Sequence, residues 1–526
     1  MTRAVLGLAI GIAAGALPGC QSVTVVPLPS PDGGLADAAS GEGDAPDATS
    51  PTDSGAAPDA ASPADAGAAM PTGTSPDAGG DAASADAWAP PAGFVYVKPS
   101  NTRPAPAAGN NTSAFQFGSA VALQNYTLVV GAPGESSGAG GVGVDGSDTS
   151  VPLAGAVYVF VRTQGAWTQQ AYIKPTPGGQ AGNFGWQVAL DGDTLVVGAP
   201  QEAAGGTAYV FVRSSGVWTQ QAALASSHRA PNQSCGQSVA LSGDTLAFTC
   251  PGDATGGSVG SASVFTRAGS TWTSQAYLGP STAVGFGSSV ALAGDVLAVG
   301  DASQTNPADG TGRTQGGVVY VFTRTGAAWA SSAYLSAANG PSGTKVADND
   351  RFGATMALGQ GWLAVGDGGA GVYVFAASGS TWAQGIYLTA ADAGADPSII
   401  APMMACRFGY SLAADGDSLL IGAPGAGPIH TPPACTANTA ACLHGPIPTT
   451  SGAAALYTRS GSTWAVKSFY ALPGPNPAGG LYGSAVGVSG GTVAIADVAD
   501  SSSARSINGN AADVSSPNAG AVWVSP

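Results

Sequence analysis

Charged side chains are scarce in this chain of 526 residues, and their scarcity is the first guide to its fold. They form only 9% of the sequence, whereas glycine alone occupies 80 positions. Glu and Lys are too few for helical bundles, and no long stretch repeats apolar residues every 3.6 positions. Short strands joined by many tight turns fit this composition. The sequence therefore predicts an all-β protein.

Basic residues and histidine are also few, which argues against several classes of function. The chain has 16 Lys and Arg against 32 Asp and Glu, and only three His. Because phosphate binding needs a basic face, no nucleic-acid partner is expected. The sequence shows no zinc-protease or phosphate-cradling motif, and no nucleophile elbow beside a triad. We therefore expect a binding protein without a cofactor rather than an enzyme.

The N-terminus has the composition of an export signal. Arg3 precedes an apolar run over residues 4–16 that is too short to span a bilayer. The run ends in Leu-Pro-Gly-Cys20, which resembles the lipobox of bacterial lipoproteins. The resemblance implies that residues 1–20 are a signal peptide and that a lipid on Cys20 anchors the chain to a membrane. The alternative is an ordinary signal peptide, with Cys20 as a bystander.

Residues 21–92 are nearly all Ala, Asp, Pro, Gly, Ser and Thr, with eleven acids and no Lys or Arg. Such a segment has too little apolar surface to offset its ordering entropy, so we predict a disordered linker that spans roughly 45–50 Å. Gln21, rather than Asp, follows Cys20, which resembles lipoproteins of the outer membrane. The expected location is therefore the outer membrane or cell surface.

Internal repeats predict the fold of residues 93–526. Seven segments begin alike, with an aromatic residue or Cys followed by Gly: Phe117-Gly118, Phe184-Gly185, Cys235-Gly236, Phe286-Gly287, Phe352-Gly353, Phe408-Gly409 and Tyr482-Gly483. Each continues to a Gly-Asp turn or its equivalent, and then to Gly-Ala-Pro or a variant, as at 131–133 and 198–200. A third apolar run follows, and a fourth carries Trp in six repeats: Trp167, Trp218, Trp272, Trp329, Trp382 and Trp464.

Four short strands repeated radially form a propeller blade, so the repeats predict a seven-bladed β-propeller of four-stranded antiparallel blades. The Phe and Trp positions are expected to pack between blades. Phe-Gly followed by Gly-Ala-Pro resembles the FG-GAP repeat of integrin alpha-subunit propellers and of bacterial surface proteins. The bacterial form is the more similar, and the resemblance covers residues 93–526.

The two ends of the repeat region predict how the ring closes. The last repeat stops at its third strand, near Trp523, whereas residues 95–99 match the end of a fourth strand at 171–175. We therefore expect the N-terminal strand to complete the seventh blade and to remove two free sheet edges.

Long insertions are expected on one face of the ring. They fall in the loops between strands 2 and 3, at 134–154, 302–315, 425–451 and 498–518, and in the 4–1 loop 389–407. Such a face is typical of binding, although neutral loop growth is an alternative. Six acids near the Gly-Ala-Pro position are the candidate binding rim: Glu135, Glu202, Asp253, Asp301, Asp367 and Asp497. They could attract a cation or a basic ligand, or each could accept backbone N–H bonds within its own turn, which is the favoured interpretation.

No metal site is expected. The resemblance implies calcium in the 1–2 loops, but turns such as Ser-Gly-Asp244 cannot supply six to eight oxygen ligands alone. In blade six, His430, Cys435, Cys442 and His444 could bind zinc, but their spacing matches no standard pattern.

Export makes disulfides plausible, and the spacing of the cysteines suggests two. Cys235 and Cys250 flank the turn at Gly243 almost symmetrically, so we expect them to face each other and to pair. Cys435 and Cys442 share a loop and are expected to pair too, which leaves Cys406 alone or competing for a partner.

The sequence therefore predicts a surface-anchored module that binds an unknown protein or glycan through its long loops. A glycoside-cleaving enzyme that uses Glu135 and Glu202 is one alternative, because the two fall on adjacent blades. A purely structural envelope protein is the other.

Overall fold

The computed structural model describes residues 93–526 apart from several loop segments. The omitted segments are 102–114, 145, 256–258, 281–282, 305–315, 338–350, 369–370, 390–406, 425–451, 472–479, 510, 512–514 and 517. Residues 1–92, with the predicted signal peptide, linker and lipidation site at Cys20, also lie outside the described residues.

The described chain is built from 28 strands in seven sheets, each of four antiparallel strands. This confirms the predicted all-β, seven-bladed propeller. As far as these residues are described, no helix is long and apolar enough to cross a membrane.

Blades 1 to 4 follow one another along the chain, and in each the first strand lies innermost and the fourth outermost. Blade 1 contains β2 (Ala120–Gln124), β3 (Thr127–Ala132), β4 (Ala156–Thr163) and β5 (Ala166–Ile173). Blade 2 contains β6 (Val188–Asp191), β7 (Thr194–Ala199), β8 (Thr207–Ser214) and β9 (Val217–Leu224). Blade 3 contains β10 (Val239–Ser242), β11 (Thr245–Cys250), β12 (Ser261–Ala268) and β13 (Thr271–Leu278). Blade 4 contains β14 (Phe286–Ala293), β15 (Val296–Asp301), β16 (Val318–Thr325) and β17 (Ala328–Leu335).

Blades 5 to 7 have the same order. Blade 5 contains β18 (Thr355–Gly359), β19 (Trp362–Gly366), β20 (Gly371–Ser378) and β21 (Thr381–Thr389). Blade 6 contains β22 (Ser411–Asp415), β23 (Ser418–Ala423), β24 (Ala453–Ser460) and β25 (Thr463–Ala471). Blade 7 contains β26 (Tyr482–Ser489), β27 (Thr492–Asp497), β28 (Ala521–Val524) and, from the other end of the propeller, β1 (Val95–Val97).

The outer strand of blade 7 is therefore the first strand of the described residues. β1 pairs antiparallel with β28, with Val95 opposite Val524 and Val97 opposite Val522. On the inner side of the ring, the hydroxyl of Ser489 in blade 7 accepts a hydrogen bond of 2.9 Å from the amide of Asn125 in blade 1. Blades 7 and 1 thus meet directly.

The antiparallel order gives the ring two distinct faces. We call the face with the 1–2 and 3–4 connections the turn face, because most of those connections are tight turns. The 2–3 and 4–1 connections form the loop face, which carries the long segments 134–154 and 498–518. A strand 4 runs from the turn face to the loop face, so the chain enters the propeller through Gly93 on the turn face.

The glycine of Phe-Gly and the glycine of Gly-Ala-Pro are both required for steric reasons. The residues before and after Phe117-Gly118 close a turn in which the amide of Ser119 donates to the carbonyl of Gln116, and the φ of Gly118 is 95°. That φ at the third turn position is typical of a type II turn and favours glycine. A side chain on Gly131, the first residue of Gly-Ala-Pro, would collide with the carbonyl oxygen of Gly185 in the next blade. The motif therefore allows adjacent blades to approach closely.

The hydrophobic core lies between neighbouring blades, as the Phe and Trp pattern predicted. Phe184 is fully buried and packs edge-on against Tyr209 and Phe211 of its own blade, in a cluster that includes Val129 of the preceding blade. Each aromatic ring thus joins two sheets, and no blade can bury its faces alone.

Candidate functional site

All six acids of the candidate binding rim are buried. The exposed fractions of Glu135, Glu202, Asp253, Asp301, Asp367 and Asp497 are 2%, 6%, 1%, 0%, 3% and 0%. In the described structure the loop face therefore does not present these carboxylates to solvent, and their contacts lie within the protein.

Three of the acids occupy one repeat position. The amides of Glu135, Glu202 and Asp253 each donate to the carbonyl of the residue three positions earlier, at the end of strand 2. The same bond in blades 4 and 7 is made by Gln304 and Asp500. Asp500, rather than Asp497, is thus the repeat equivalent of Glu135.

A tyrosine hydroxyl reaches the carboxylate at this position in several blades. Tyr277 on strand 4 of blade 3 donates to Asp253 at 2.7 Å, and Tyr96 on the strand 4 of blade 7 donates to Asp500 at 2.9 Å. Blade 2 has Ala223 where these blades have tyrosine, and Tyr209 on strand 3 donates to Glu202 at 2.5 Å instead.

Asp301 and Asp497 stand three residues earlier in the repeat, in place of the alanine of Gly-Ala-Pro. Asp301 accepts the amide of Val284 at 3.1 Å, and Asp497 accepts the amide of Leu481 at 2.8 Å. Both donors precede strand 1 of the same blade, and in blades 4 and 7 that strand has eight residues, against four or five in the other blades. The two carboxylates therefore hold the extended start of an inner strand.

Asp367 in blade 5 also bonds within its own blade, but to strands 3 and 4. It accepts the amide of Gly371 at 2.8 Å and the hydroxyl of Tyr387 at 2.7 Å. Burial raises the pKa of Asp497 to about 7, and the neighbouring Asp500 adds to the effect.

Two buried lysines form ion pairs, one within blade 1 and one within blade 7. Lys174 in blade 1 lies 2.5 Å from Glu135, and Lys98 in blade 7 lies 2.9 Å from Asp500. Both lysines follow the end of a strand 4, in the sequence that the two blades share. Burial lowers the pKa of Lys174, while Glu135 opposes that shift. Each pair fixes the start of a long 2–3 loop to the outer strand of its blade.

The turn face is dominated by a contact that repeats between blades. In blade 3, Arg267 donates to Asp244 of its own 1–2 turn at 2.7 Å and to Thr194 of blade 2 at 2.9 Å. Its guanidinium also lies 5.1 Å from the ring of Trp272, whose indole N–H donates to Gln221 of blade 2 at 2.8 Å. We call this set the arginine clamp.

The arginine clamp recurs in blades 2 and 4 with the same geometry. Its arginines are Arg213 and Arg324, its tryptophans are Trp218 and Trp329, and its acids are Asp193 and Asp295. Sequence reasoning missed it, although Arg recurs two residues after the strand-3 phenylalanine and Asp recurs in the 1–2 turn. The repeated polar residues of the turn face thus join blades.

Large exposed side chains stand instead at positions that differ between repeats. On the loop face, Trp186 follows its Phe-Gly pair and is 41% exposed, and Tyr410 at the same repeat position is 45% exposed. The other blades carry Ser, Gln or Ala there. Sequence reasoning also missed these two residues, whose signal was an aromatic residue at a position that elsewhere is small or polar.

Cys235 and Cys250 form a disulfide, as predicted. Cys235 occupies the phenylalanine position of Phe-Gly, and Cys250 occupies the alanine position of Gly-Ala-Pro. Phe248 stands where strand 2 of blades 1, 2 and 4 has Val, and its ring stacks on Phe265 at 5.7 Å. The disulfide and Phe248 together replace the missing phenylalanine ring.

The predicted Cys435–Cys442 disulfide, the leftover cysteine and the histidines of the disfavoured zinc alternative lie outside the described residues. These are Cys406, Cys435 and Cys442, with His430 and His444. Within the described part of the chain, no group of three or more His, Cys, Asp and Glu could hold a metal ion. Glu135 and Glu202, the residues of the alternative hydrolytic pair, are each engaged inside their own blade.

Comparison with known proteins agrees with the repeat pattern. The family profile of the FG-GAP repeat matches residues 167–211 and 218–265. Each match runs from strand 4 of one blade to strand 3 of the next, from β5 to β8 and from β9 to β12. No curated protein matches the chain. The chain is thus a seven-bladed β-propeller that contains FG-GAP repeats.

Proposed function

We propose that this protein is a surface-anchored recognition module that binds a protein or glycan through its loop face. An FG-GAP propeller is a binding or structural module, and the difference between its two faces favours binding. The polar residues that repeat on the turn face are used between blades, as Arg267 is with Thr194. The loop face carries long segments that differ between repeats and exposed aromatic rings. This difference between the two faces is the main support for the proposal.

The blade 1 loop at 134–154 supports recognition because it is internally braced. Asp148 accepts the hydroxyl of Ser150 at 2.6 Å and the amides of Gly138 and Ser150, both at 2.9 Å, and these bonds hold its pKa well below the usual range. Lys174 secures Glu135 at the start of the loop. A braced loop loses less conformational entropy when it binds than a free one does.

The point of entry of the chain supports anchoring from the opposite side. Gly93 leads into β1 on the turn face, and a Cβ on Gly93 would lie 3.4 Å from Pro526, the last residue. A tether that ends at a lipid on Cys20 would therefore be continuous with the propeller at Gly93, on the turn face.

The proposal can be tested with the full chain carrying Cys20→Ser, screened against a glycan array and purified envelope proteins. The matched variant replaces residues 134–154 with residues 201–205, the short loop of blade 2, which keeps a glutamate as the partner for Lys174. Saturable binding that the short loop weakens or abolishes would support recognition through this face. If neither chain binds at micromolar concentrations, the recognition proposal is wrong.

A further inference from the structure

The 4–1 loop between blades 2 and 3, residues 225–234, is fixed to both of them. Arg229 donates through Nε to the carbonyl of Ala204 in blade 2 at 3.0 Å. Gln233 donates to Asp253 in blade 3 at 3.2 Å, and its carbonyl accepts the amide of Gly252 at 3.0 Å. The loop therefore bridges the loop face of two blades in one defined conformation.

A covalent bond secures the base of this loop. Cys235 is the residue directly after it, and Cys250 is the residue directly before the 2–3 loop of blade 3. Their disulfide, the only one among the described residues, ties the two loops together where other blades have Phe and Ala. The bond thus limits motion at this particular part of the loop face.

An exposed histidine of the fixed loop packs against a half-buried tyrosine of strand β13. The imidazole of His228 lies against the ring of Tyr277, with 4.2 Å between the ring centroids and 48° between the planes. Tyr277 is held by its hydroxyl bond to the buried Asp253. The Nδ1 atom of His228 lies 3.1 Å from the hydroxyl of Ser227, so its Nε2 atom remains for a ligand. Tyr277 thus supports the His228 ring from one side, and the exposed imidazole keeps a polar edge for a ligand.

Arg229, the next residue of the loop, is a cation that bonds to blade 2. Arg229 takes the place of the tyrosine that blade 2 lacks, and its Nη2 atom lies 3.9 Å from Glu202 and 3.2 Å from the hydroxyl of Thr207. Its side chain is 38% exposed, and its Nη1 amino group has no hydrogen-bond partner among the described residues. The guanidinium is therefore held in place while two of its N–H groups can reach a ligand.

We infer that Ser227, His228, Arg229 and Tyr277 form a binding site for an acidic saccharide. The apolar C–H face of a pyranose ring would stack on the exposed His228 ring, which Tyr277 supports, and its carboxylate would accept hydrogen bonds from Arg229. The Ser227 hydroxyl and the His228 Nε2 atom would bind the sugar hydroxyls. The inference rests on the proposed function and assigns it a ligand class and a place on the ring.

The test is isothermal titration calorimetry of the full chain carrying Cys20→Ser with an oligogalacturonate and with its methyl ester. The ester keeps the shape of the sugar and removes its charge. We expect the acid to bind about 10-fold more tightly than the ester, the scale of one charged hydrogen bond. Arg229→Gln should remove that difference in affinity, and His228→Ala should weaken the binding of both ligands. Lys467→Gln, which removes an exposed positive charge from blade 6, is the matched control and should change the affinity for neither ligand.

Three results would overturn the inference: no binding of the acid, equal binding of acid and ester, or equal effects of Arg229→Gln and Lys467→Gln. Tighter binding of a glutamate-rich peptide than of the oligosaccharide would also overturn it, because the ligand would then be a protein. If this site fails but the loop of residues 134–154 still determines binding of another ligand, the proposed function stands without it.

Discussion

Lys98 Nζ lies 2.9 Å from Asp500 Oδ1, and the two residues come from opposite ends of the propeller sequence. The same lysine also donates to the carbonyl of Gly520 at 2.7 Å. The buried ammonium therefore joins the N-terminal strand to the last two strands of blade 7, beside the backbone pairing of β1 with β28.

Replacing Lys98 with Met is expected to destabilise the propeller strongly. The substitution leaves the buried Asp500 carboxylate without its cation, and losing one partner of a buried pair costs about 3–5 kcal/mol. Urea denaturation measures the free energy of unfolding. Lys467→Met, at an exposed site, is the control and should change it little. A Lys98→Met chain as stable as this control would show that the pair does not secure the ring.

The disulfide of blade 3 is expected to substitute for a phenylalanine ring. Replacing both cysteines with Ala should lower the free energy of unfolding by about 2–4 kcal/mol. The triple variant C235F/F248V/C250A restores the composition of the other blades and should recover most of that loss, because the new ring packs on Phe265. The same denaturation experiment compares the three chains. A triple variant no more stable than the double Ala variant would contradict this interpretation.

The arginine clamp is expected to stabilise the contacts between blades. Arg267→Ala removes bonds to Asp244 and Thr194 and the contact with Trp272, and should cost about 1–2 kcal/mol, since much of the ion pair is exposed. Arg162→Ala is the matched control, because the guanidinium of Arg162 bonds only to the carbonyl of Gly165 among the described residues. Differential scanning calorimetry should show a lower Tm for the first variant alone. Equal Tm values would rule out a role for the clamp.

Most of the fold could be predicted from the sequence because each blade carries the same local signals. The Phe-Gly turn, the Gly-Asp turn and the alternating apolar residues recur in register, so seven copies confirm one another. The N-terminal residues 95–99 could be matched to a strand 4 in the same way.

The candidate rim shows where sequence reasoning stops. Asp301 and Asp497 follow Gly or Ala much as Glu135 follows Gly-Ala-Pro, but they stand three residues earlier in the repeat and support strand 1. Gln304 is the repeat equivalent of Glu135 and carries no charge, so a search for acids could not find it. Burial of these carboxylates depends on tyrosines and lysines of strand 4, which are distant in sequence.

The buried Asp497 is expected to make stability depend on pH. Its pKa is raised to about 7 by burial and by Asp500, while Lys98 opposes the shift. Between pH 4 and pH 7 the folded state keeps a proton that the unfolded chain releases, so the free energy of unfolding falls as pH rises through this range. Asp497→Asn keeps an oxygen for the amides of Leu481 and Ala499 and removes this contribution. Urea denaturation at four pH values from 4.5 to 7.5 should therefore give a shallower pH dependence for the variant. Identical profiles would show that Asp497 does not retain its proton in the fold.

Two matched pairs of exposed residues give the most direct test of whether the loop face binds the ligand. Trp186→Ala with Tyr410→Ala changes the loop face, where the side chains are 41% and 45% exposed. Tyr126→Ala with Val217→Ala changes the turn face, where they are 66% and 62% exposed. The measurement is the Kd of each full chain for the first glycan or envelope protein that binds the parent saturably. We expect weaker binding by the loop-face pair and unchanged binding by the turn-face pair; weaker binding by the turn-face pair alone would contradict binding through the loop face.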